Sequence, residues 1–394
     1  MTRKYVASAD SHIIEPYDLW TKALSDKHDP EKLPHRFQGE YKGIPGDFVF
    51  TGYEYMKIGA LRQEGAGSTE DSAAPVATGD LPEEIAEKVR ISNSEPGTRL
   101  ELMDHDGVSA ELIQATNMLL AMRTRDPVIV GDCAAVFNDY CSEYCSYDTN
   151  RLLGTAMIPT HDPKWATAEL ERTAKKGMRS IIINTDLPPE FSPYRKDVYD
   201  DLWAAAVDHD MPVTLHLGTG ETRDPFTCIT EEEREESPGL FLDIFDDGRR
   251  ALANEFIFGG IFDKFPKLKV ILGEYECSWA PYYMFRLRQM KGALGLAMEI
   301  RQPKREADEY IRDNVWFGYT DDAYFDRTWD VIGEDKSMWG SDYPHPRNTF
   351  PNTQAILDRL FANVPEHVGA KSSGLNMAKL FNLDVPVEAM AAAE

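Results

Sequence analysis

The chain has 394 residues, of which 42% are hydrophobic and 28% are charged, so it can bury a large core and is not a disordered chain. Its 67 acidic residues outnumber its 42 basic residues, and the net charge of −25 disfavours nucleic-acid and membrane partners. No apolar run approaches the roughly 18 residues that a membrane span needs. Five cysteines are too few for a disulfide scaffold, so we expect a cytoplasmic protein.

Eight short runs of β-branched and aliphatic residues recur along the chain, and several end in a polar or ionisable residue. Helical patterns lie between them, which is typical of strand–helix units around a parallel sheet. The predicted strands are Tyr5–Ala9 followed by Asp10 to His12, Ser109–Gln114, Leu152–Pro159, Ser180–Asn184, Pro212–His216, Lys269–Glu274, Val315–Thr320 and Ser337–Asp342. The clearest predicted helices are Asp126–Tyr147, Lys164–Lys176, Tyr199–Asp208, Trp279–Met290 and Lys304–Arg312.

Eight such units favour an α/β fold of the (β/α)8 TIM barrel type, formed as one domain by residues 1–384. A doubly wound open sheet is the alternative, but no GxGxxG motif follows the first strand, and the ionisable residues recur where barrel active sites lie. Residues 21–98, punctuated by Gly and Pro, predict an insertion of loops and short helices after strand one, a candidate lid. We expect the tail, residues 385–394, to fray.

Four of the predicted strands deliver carboxylates and imidazoles to one rim. Asp10 and His12 are two residues apart, a spacing that places both side chains on one face of an extended strand. His216 ends the fifth run, Glu274 the sixth and Asp342 the eighth. Two imidazole nitrogens with two or three carboxylate oxygens suit one divalent cation, zinc or alternatively manganese. Any of these histidines alone reads as an ordinary strand-end residue, but their joint placement favours a metal site.

The chain resembles the amidohydrolase superfamily in four segments: ADSHIIEPYDLW, MPVTLHLGTG, FPKLKVILGEYECSWAPYYMFRLR and GSDYPHP. More narrowly, it is similar to the branch of aminocarboxymuconate-semialdehyde decarboxylase-like proteins. The resemblance implies a distorted (β/α)8 barrel with one catalytic divalent metal at the carboxyl-end rim. By position, it implies that the metal ligands are Asp10, His12, His216 and Asp342.

Three positions depart from the pattern of that family. Asp10 stands where many relatives carry His or Glu, which makes the predicted site richer in oxygen. Glu274 stands where the decarboxylases usually carry a histidine, so the proton transfer assigned to that histidine does not carry over directly. No lysine ends the fourth strand, where Asn184 stands, and this argues against a carbamate-bridged dinuclear site.

Four polar residues are candidates for binding a carboxylated small-molecule substrate. Asn184 ends the fourth strand, and His345 lies three residues after Asp342. Arg223 and Arg347 can hold a carboxylate through a bidentate fork, although a surface salt bridge is the commoner fate of an arginine.

Two further residues have open roles. Glu15 either reaches the mouth of the site or caps the helix that starts near Tyr17. His161 follows the third strand and is placed near the rim. The acidic run that begins at Glu231 predicts a solvated helix start.

The sequence leaves three functions open. The resemblance favours non-oxidative decarboxylation of a small aromatic or unsaturated carboxylic acid, with Asp342 as the proton carrier and Glu274 as a second catalytic residue. The same ligands can instead activate water for hydrolysis of an amide, lactone or C–C bond. A barrel that binds a ligand without catalysis is the third. Relatives commonly form dimers, and the insertion is rich in aromatic residues, so we expect a homodimer or a higher homo-oligomer.

Overall fold

Eight parallel strands form the central sheet of the protein in a computed structural model that describes residues 5–57, 67–69, 72–76, 81–223 and 225–390. The strands in these ranges are β1 (Ala7–His12), β2 (His35–Tyr41), β3 (Ile44–Phe50), β4 (Tyr55–Lys57), β5 (Gly67–Thr69), β6 (Ser72–Val76), β7 (Ala110–Gln114), β8 (Leu152–Met157), β9 (Ser180–Ile183), β10 (Val213–His216), β11 (Val270–Gly273), β12 (Val315–Tyr319) and β13 (Ser337–Trp339). The large sheet runs in the order β1, β7, β8, β9, β10, β11, β12, β13.

The α-helices in the same ranges are α1 (Leu19–Leu24), α2 (Glu83–Ile91), α3 (Pro96–Asp106), α4 (Asn117–Ala121), α5 (Pro127–Cys145), α6 (Pro163–Lys175), α7 (Asp200–Asp208), α8 (Glu231–Glu236), α9 (Leu240–Asp243), α10 (Asp247–Ala251), α11 (Ile261–Lys264), α12 (Ala280–Lys291), α13 (Ala293–Ala297), α14 (Ala307–Asn314), α15 (Trp329–Ile332), α16 (Thr353–Leu360), α17 (Glu366–Ala370), α18 (Asn376–Phe381) and α19 (Val387–Met390). Asp126 and Asp162 cap α5 and α6, and a proline follows each cap, a favourable start for a helix.

The sheet closes where the segment that follows β13 forms hydrogen bonds with β1. The Asp342 N–H donates to the Asp10 carbonyl at 2.8 Å, and the His12 N–H donates to the Tyr343 carbonyl at 2.6 Å. All eight predicted strands are present, and the predicted TIM barrel is confirmed. The five predicted helices correspond to α5, α6, α7, α12 and α14.

The amino-terminal end of the barrel is apolar. Small and aliphatic side chains of β1, β7 and β8 pack with Met377 and Phe381 of α18 beneath them. A second apolar layer lies between the strands and the surrounding helices, and includes Ile182 of β9 and Trp203 of α7. Polar residues are left for the carboxyl-end rim, as in other barrels of this type.

The insertion after β1 differs from the predicted loops and short helices. Strands β2, β3 and β4 form an antiparallel sheet, and β5 pairs with β6. A two-residue turn joins β2 to β3, with Lys42 and Gly43 both at positive φ (51° and 74°), the conformation that tight hairpins favour. The ring centroids of Tyr41 and Tyr55 lie 4.4 Å apart. Some of the aromatic residues on which we based the expected oligomer therefore pack within the insertion itself.

The carboxyl-terminal tail also differs from the prediction. Residues Val387–Met390 form α19, and Ala389 is buried against the apolar end of the barrel, so this part of the tail is packed rather than frayed. The last four residues of the predicted tail lie outside the described part of the chain. Among the described residues, no helix has both the length and the apolar character that crossing a bilayer requires.

A buried ion pair lies beneath the rim. The Arg99 Nε donates to Glu111 Oε2 at 2.6 Å, and both side chains are buried. Its Nη1 also donates to the His12 carbonyl at 2.8 Å, and the guanidinium lies 4.3 Å from the centre of the Tyr343 ring. Arg99 therefore ties α3 and β7 to the seam between β1 and the segment after β13.

We expect Arg99→Leu to lower the free energy of unfolding by roughly 3–5 kcal/mol, because Glu111 is left buried without its positive partner. Urea denaturation measures the loss, and the double variant R99L/E111L should recover part of it. Lys88→Leu is the control, because it breaks an exposed ion pair with Glu101 and should leave the unfolding midpoint unchanged. Equal midpoints for R99L and K88L would contradict the role given to Arg99.

Candidate metal centre

Three predicted ligands converge at the carboxyl ends of β1 and β10. The Nε2 atom of His12 lies 3.1 Å from Asp10 Oδ1, and the Nε2 atom of His216 lies 3.4 Å from the same oxygen. The ligand atoms of the three side chains all lie within 4.8 Å of one another. All three side chains are buried. Asp10 and His12, two residues apart on β1, therefore project to the same point, as their spacing predicts.

Backbone carbonyls set the tautomers of both histidines. The Nδ1 atom of His12 lies 2.6 Å from the Ala115 carbonyl, and that of His216 lies 2.9 Å from the Leu217 carbonyl. A carbonyl only accepts hydrogen bonds, so each Nδ1 carries the proton and donates. Each Nε2 is thereby left as a lone-pair donor for a metal, the arrangement that holds metal-binding histidines in place.

Asp342 and His345 complete the same cluster from the segment after β13. Asp342 Oδ1 lies 3.4 Å from His12 Nε2 and 2.8 Å from His345 Nδ1. The His345 ring stacks on the His12 ring with centroids 3.9 Å apart, and its Nε2 lies 3.1 Å from Thr116 Oγ1. The cluster contains His345 as well as the four predicted ligands.

The donor set fits a divalent metal ion. Asp10 Oδ2 is buried and has no hydrogen-bond partner among the described residues, and such an atom is costly to bury unless something outside the chain binds it. Two imidazole nitrogens and two carboxylates are the ligands of zinc and manganese sites with room for a further ligand. Asp10, His12, His216 and Asp342 would hold the ion.

A sequence model of the amidohydrolase family matches residues 67–383. This protein belongs to the amidohydrolase family. Gamma-resorcylate decarboxylase of Polaromonas sp. is 25% identical over 309 residues, which cover 72% of this chain and 87% of that relative. An amidohydrolase of Mycobacterium avium subsp. paratuberculosis has a similar structure, with a TM-score of 0.76, 17% identity and coverage of 97% of this chain and 100% of that one.

A dihydroxybenzoic acid decarboxylase of Polaromonas sp. is also similar in structure, with a TM-score of 0.64 at 18% identity, over 98% of this chain and 99% of that one. That structure contains manganese and the inhibitor 2-nitroresorcinol. The two structural likenesses agree with the TIM barrel found here.

Burial and mutual charge shift the protonation of this amidohydrolase's cluster. Burial raises the pKa of Asp342 to about 8, and Asp10 adds to the effect. Burial acts against a charged His216, but the Asp10 carboxylate outweighs it and raises the pKa of His216 to about 9. Burial lowers the pKa of His345 to about 4. Without a metal, protons on Asp342 and His216 reduce the net negative charge of this site.

Glu274 follows β11 at a positive φ of 66°, a conformation that is uncommon for residues other than glycine. Its side chain is partly exposed. Burial of the carboxyl and the neighbouring Asp342 raise its pKa well above the usual range. The preceding Gly273 packs against His216, and a Cβ atom there would lie 2.8 Å from His216 Cδ2.

The other predicted substrate-binding residues differ in where they lie. Arg347 forms a 2.6 Å ion pair with Glu276, and its charge acts on both Glu274 and Asp342. The buried Asn184 donates to the Met122 carbonyl at 2.8 Å, so its carboxamide is bound within the fold. Arg223 pairs with Glu233 at 2.9 Å, in the capping box of α8, and its guanidinium is engaged there rather than with the metal cluster.

Three residues around the cluster were missed or differently placed by the sequence. Gln114 donates to Asp10 Oδ1 at 2.7 Å, and Thr116 contacts His345. Gln114 follows from the rule that predicted the ligands, because it ends β7, whereas Thr116 lies two residues beyond that strand. Glu15 accepts the N–H groups of residues 116–118 at 2.8–3.2 Å and so caps α4 rather than the helix near Tyr17.

We expect Gly273→Ala to weaken metal binding by at least about tenfold, the lower end of the effects seen when groups that orient metal ligands are changed. The added Cβ displaces the His216 ring from the cluster. Titration of metal-depleted protein with Mn²⁺ measures the affinity. Gly239→Ala is the matched control, because no atom lies within 4 Å of its added Cβ, and equal affinities for the two variants would refute the packing argument.

Metal binding should release about two protons at pH 7, one each from His216 and Asp342, whose pKa values lie near 9 and 8. These protons compete with the metal, so apparent affinity rises as the pH increases from 6 to 9. Calorimetry in HEPES and in Tris buffer measures the release. D342N should release about one proton fewer, and a pH-independent affinity would contradict the ligand assignment.

Proposed function

We propose that this protein catalyses the non-oxidative decarboxylation of a small aromatic carboxylic acid that bears a hydroxyl group beside the carboxylate. One observation carries the proposal: the carboxyl groups of Asp342 and Glu274 lie at the rim of the metal cluster, where burial raises the pKa of Asp342 to about 8 and the pKa of Glu274 well above its usual range. Decarboxylation consumes a proton at carbon, whereas hydrolysis begins with a base that removes a proton from water. Carboxyl groups whose surroundings favour the protonated form suit the first reaction better.

The relatives support the same reaction. Gamma-resorcylate decarboxylases from four bacteria are 24–27% identical over about three quarters of this chain. A carboxylate with an adjacent hydroxyl offers two oxygens to one cation, and this is the substrate group that the cluster fits. A bound divalent metal would supply the positive charge that holds these two oxygens.

The residues of the chain divide the remaining work in this mechanism. Asp342, which would bind the ion as a carboxylate, takes up a proton from Glu274 and gives it to the ring carbon that bears the substrate carboxylate. The bond between that carbon and the carboxylate then breaks, its electron pair restores the ring, and carbon dioxide leaves. His345 orients Asp342 through the 2.8 Å contact of its Nδ1, and Glu274, partly exposed at the mouth, returns a proton from solvent to Asp342. Arg347 is placed to attract the anionic substrate.

We infer that manganese is the metal rather than zinc. The proposed first-strand ligand, Asp10, is a carboxylate, and oxygen donors favour manganese over zinc. The Polaromonas decarboxylase contains manganese.

A cytoplasmic location, the lid role of residues 21–98 and a homodimer stay predictions. Exposed apolar side chains on α12, such as Tyr282 and Phe285, offer a surface for the dimer.

Manganese-loaded protein incubated with 2,6-dihydroxybenzoate should release carbon dioxide in equal amount to resorcinol. Asp342→Asn should lower kcat by roughly 100-fold to 10,000-fold, because it removes the proton carrier. Glu274→Gln should lower kcat and remove one limb of the pH profile, whereas a group that only binds substrate would change KM. Full turnover by E274Q would contradict its role in proton transfer.

The alternatives give different results in the same assay. Incorporation of oxygen from labelled water into an amide, lactone or C–C bond substrate, without release of carbon dioxide, would establish a hydrolase. Absence of stoichiometric metal from protein purified without chelator would favour a ligand-binding barrel. His209→Ala is the control variant, because His209 is exposed just after the end of α7 and should keep wild-type kcat.

A further inference from the structure

One buried histidine has no role in the metal cluster. His161 lies four residues beyond the end of β8 and is 7% exposed. Both of its ring nitrogens are buried, and neither has a hydrogen-bond partner among the residues that the structure describes. Burying a polar group without a partner is costly, and a histidine with two such atoms calls for a partner from outside the fold.

The surroundings of His161 come from segments that follow neighbouring barrel strands. The Phe191 ring, after β9, meets the His161 ring edge to face with centroids 4.8 Å apart. Arg125, after β7, exerts its charge on His161 and has a buried Nη1 atom without a hydrogen-bond partner in the described ranges. This Nη1 lies 3.9 Å from Glu190 Oε1, and Nη2 is held by Glu221 at 2.6 Å. An aromatic face, a neutral imidazole and one guanidinium nitrogen that makes no hydrogen bond thus occur together.

Hydrogen bonds between neighbouring strand ends connect this group to the metal cluster. Thr160, next to His161, donates its N–H to Asn184 Oδ1 at 3.3 Å. Thr185, the neighbour of Asn184, donates its hydroxyl to the His216 carbonyl at 3.2 Å. Because all these segments leave the carboxyl ends of adjacent strands, His161 belongs to the same rim as the metal ligands, on the arc opposite the seam.

We propose that His161 and Arg125 form a second recognition point, which binds a hydroxyl or carboxylate substituent on the substrate ring at the end away from the metal. The inference rests on the proposed function, because it takes the substrate to be an aromatic acid held by its carboxylate at the metal. It adds what the metal ligands cannot supply, namely selection among aromatic acids by a remote substituent.

The chemistry of the group matches such a substituent. Burial lowers the pKa of His161 to about 4, and the Arg125 charge adds to this effect, so the imidazole is neutral at pH 7. A neutral imidazole has one donor and one acceptor nitrogen, and a phenolic hydroxyl can satisfy either. The Nη1 of Arg125, which makes no hydrogen bond among the described residues, adds a donor on a cation for a carboxylate, and Phe191 offers its face to the substrate ring.

The test uses the full-length manganese-loaded protein and four probes: 2-hydroxybenzoate and its derivatives with methyl, hydroxyl or carboxylate at ring position 4. The methyl group is the matched control, because it has the size of the hydroxyl without its polarity. Calorimetry measures each affinity for wild type, His161→Leu, Arg125→Gln and the control His209→Leu. Release of carbon dioxide from each probe is measured in parallel.

We expect wild type and H209L to bind the hydroxyl probe at least about tenfold more tightly than the methyl probe, as one satisfied hydrogen bond to a buried group allows. H161L should lose this preference and bind 2-hydroxybenzoate as wild type does. R125Q should lose the added affinity for the carboxylate probe. Arg125 is partly exposed, so R125Q decides the question if H161L does not fold.

Equal binding of the methyl and hydroxyl probes by wild type, or a preference that persists in H161L, would overturn the proposal. Equal weakening of all four probes in H161L would also overturn it, because His161 would then act on the fold. Probe preference without release of carbon dioxide would reject the decarboxylase and keep the recognition point. Release of carbon dioxide without dependence on His161 would do the reverse.

Discussion

Two backbone hydrogen bonds at the seam of the barrel fix the geometry on which the candidate site depends. The N–H of Asp342 reaches the carbonyl of Asp10, and the N–H of His12 reaches the carbonyl of Tyr343. The two segments that carry three of the candidate metal ligands, Asp10 and His12 on one and Asp342 on the other, are therefore bonded to each other by the closure of the sheet. Arg99 reinforces the seam by binding the His12 carbonyl and covering Tyr343. The closure of the barrel by itself therefore brings Asp10, His12 and Asp342 close together.

A rigid seam has an electrostatic consequence. It brings Asp10 and Asp342 into one buried site and sets Glu274 beside them, and charges so close in a medium of low dielectric constant cannot all be negative. Protons on His216 and Asp342 relieve the repulsion in the metal-free protein. A divalent cation would relieve it more completely, because it would interact with every candidate ligand at once. Glu274 is outside the candidate ligand set, and its pKa is raised well above the usual range.

The sequence was sufficient where function follows from a local pattern. A polar residue at the end of a parallel strand lies at the rim, and this rule located Asp10, His12, His216 and Asp342 and would also have located Gln114. It could not show how Asn184 and Arg223 are engaged, because their partners come from elsewhere in the fold. An amide at a strand end looks the same whether it faces a substrate or, as here, the Met122 carbonyl.

The hairpin in the insertion was hidden for a different reason. Its turn places Lys42 at positive φ, where asparagine or aspartate is the usual signal, and β2 alternates only between partly exposed and exposed residues. The two buried residues of β3, Phe48 and Val49, are consecutive, so the period of two that marks a strand is weak in both. The packing of Ala389 under the barrel was equally invisible, since a short Ala-rich tail gives no pattern of its own.

The order of strands around the barrel divides the rim into two arcs with different chemistry. One arc includes β10 and β11, which carry His216 and Glu274. Carboxylates and candidate metal ligands are concentrated on this arc. The arc of β7, β8 and β9 carries His161 and Arg125 and contributes no metal ligand. A chain with a net charge of −25 repels an anionic substrate at long range, so attraction has to be local. A divalent cation on one arc and Arg125 on the other would provide it at two separated points, and two such points would orient a rigid aromatic acid.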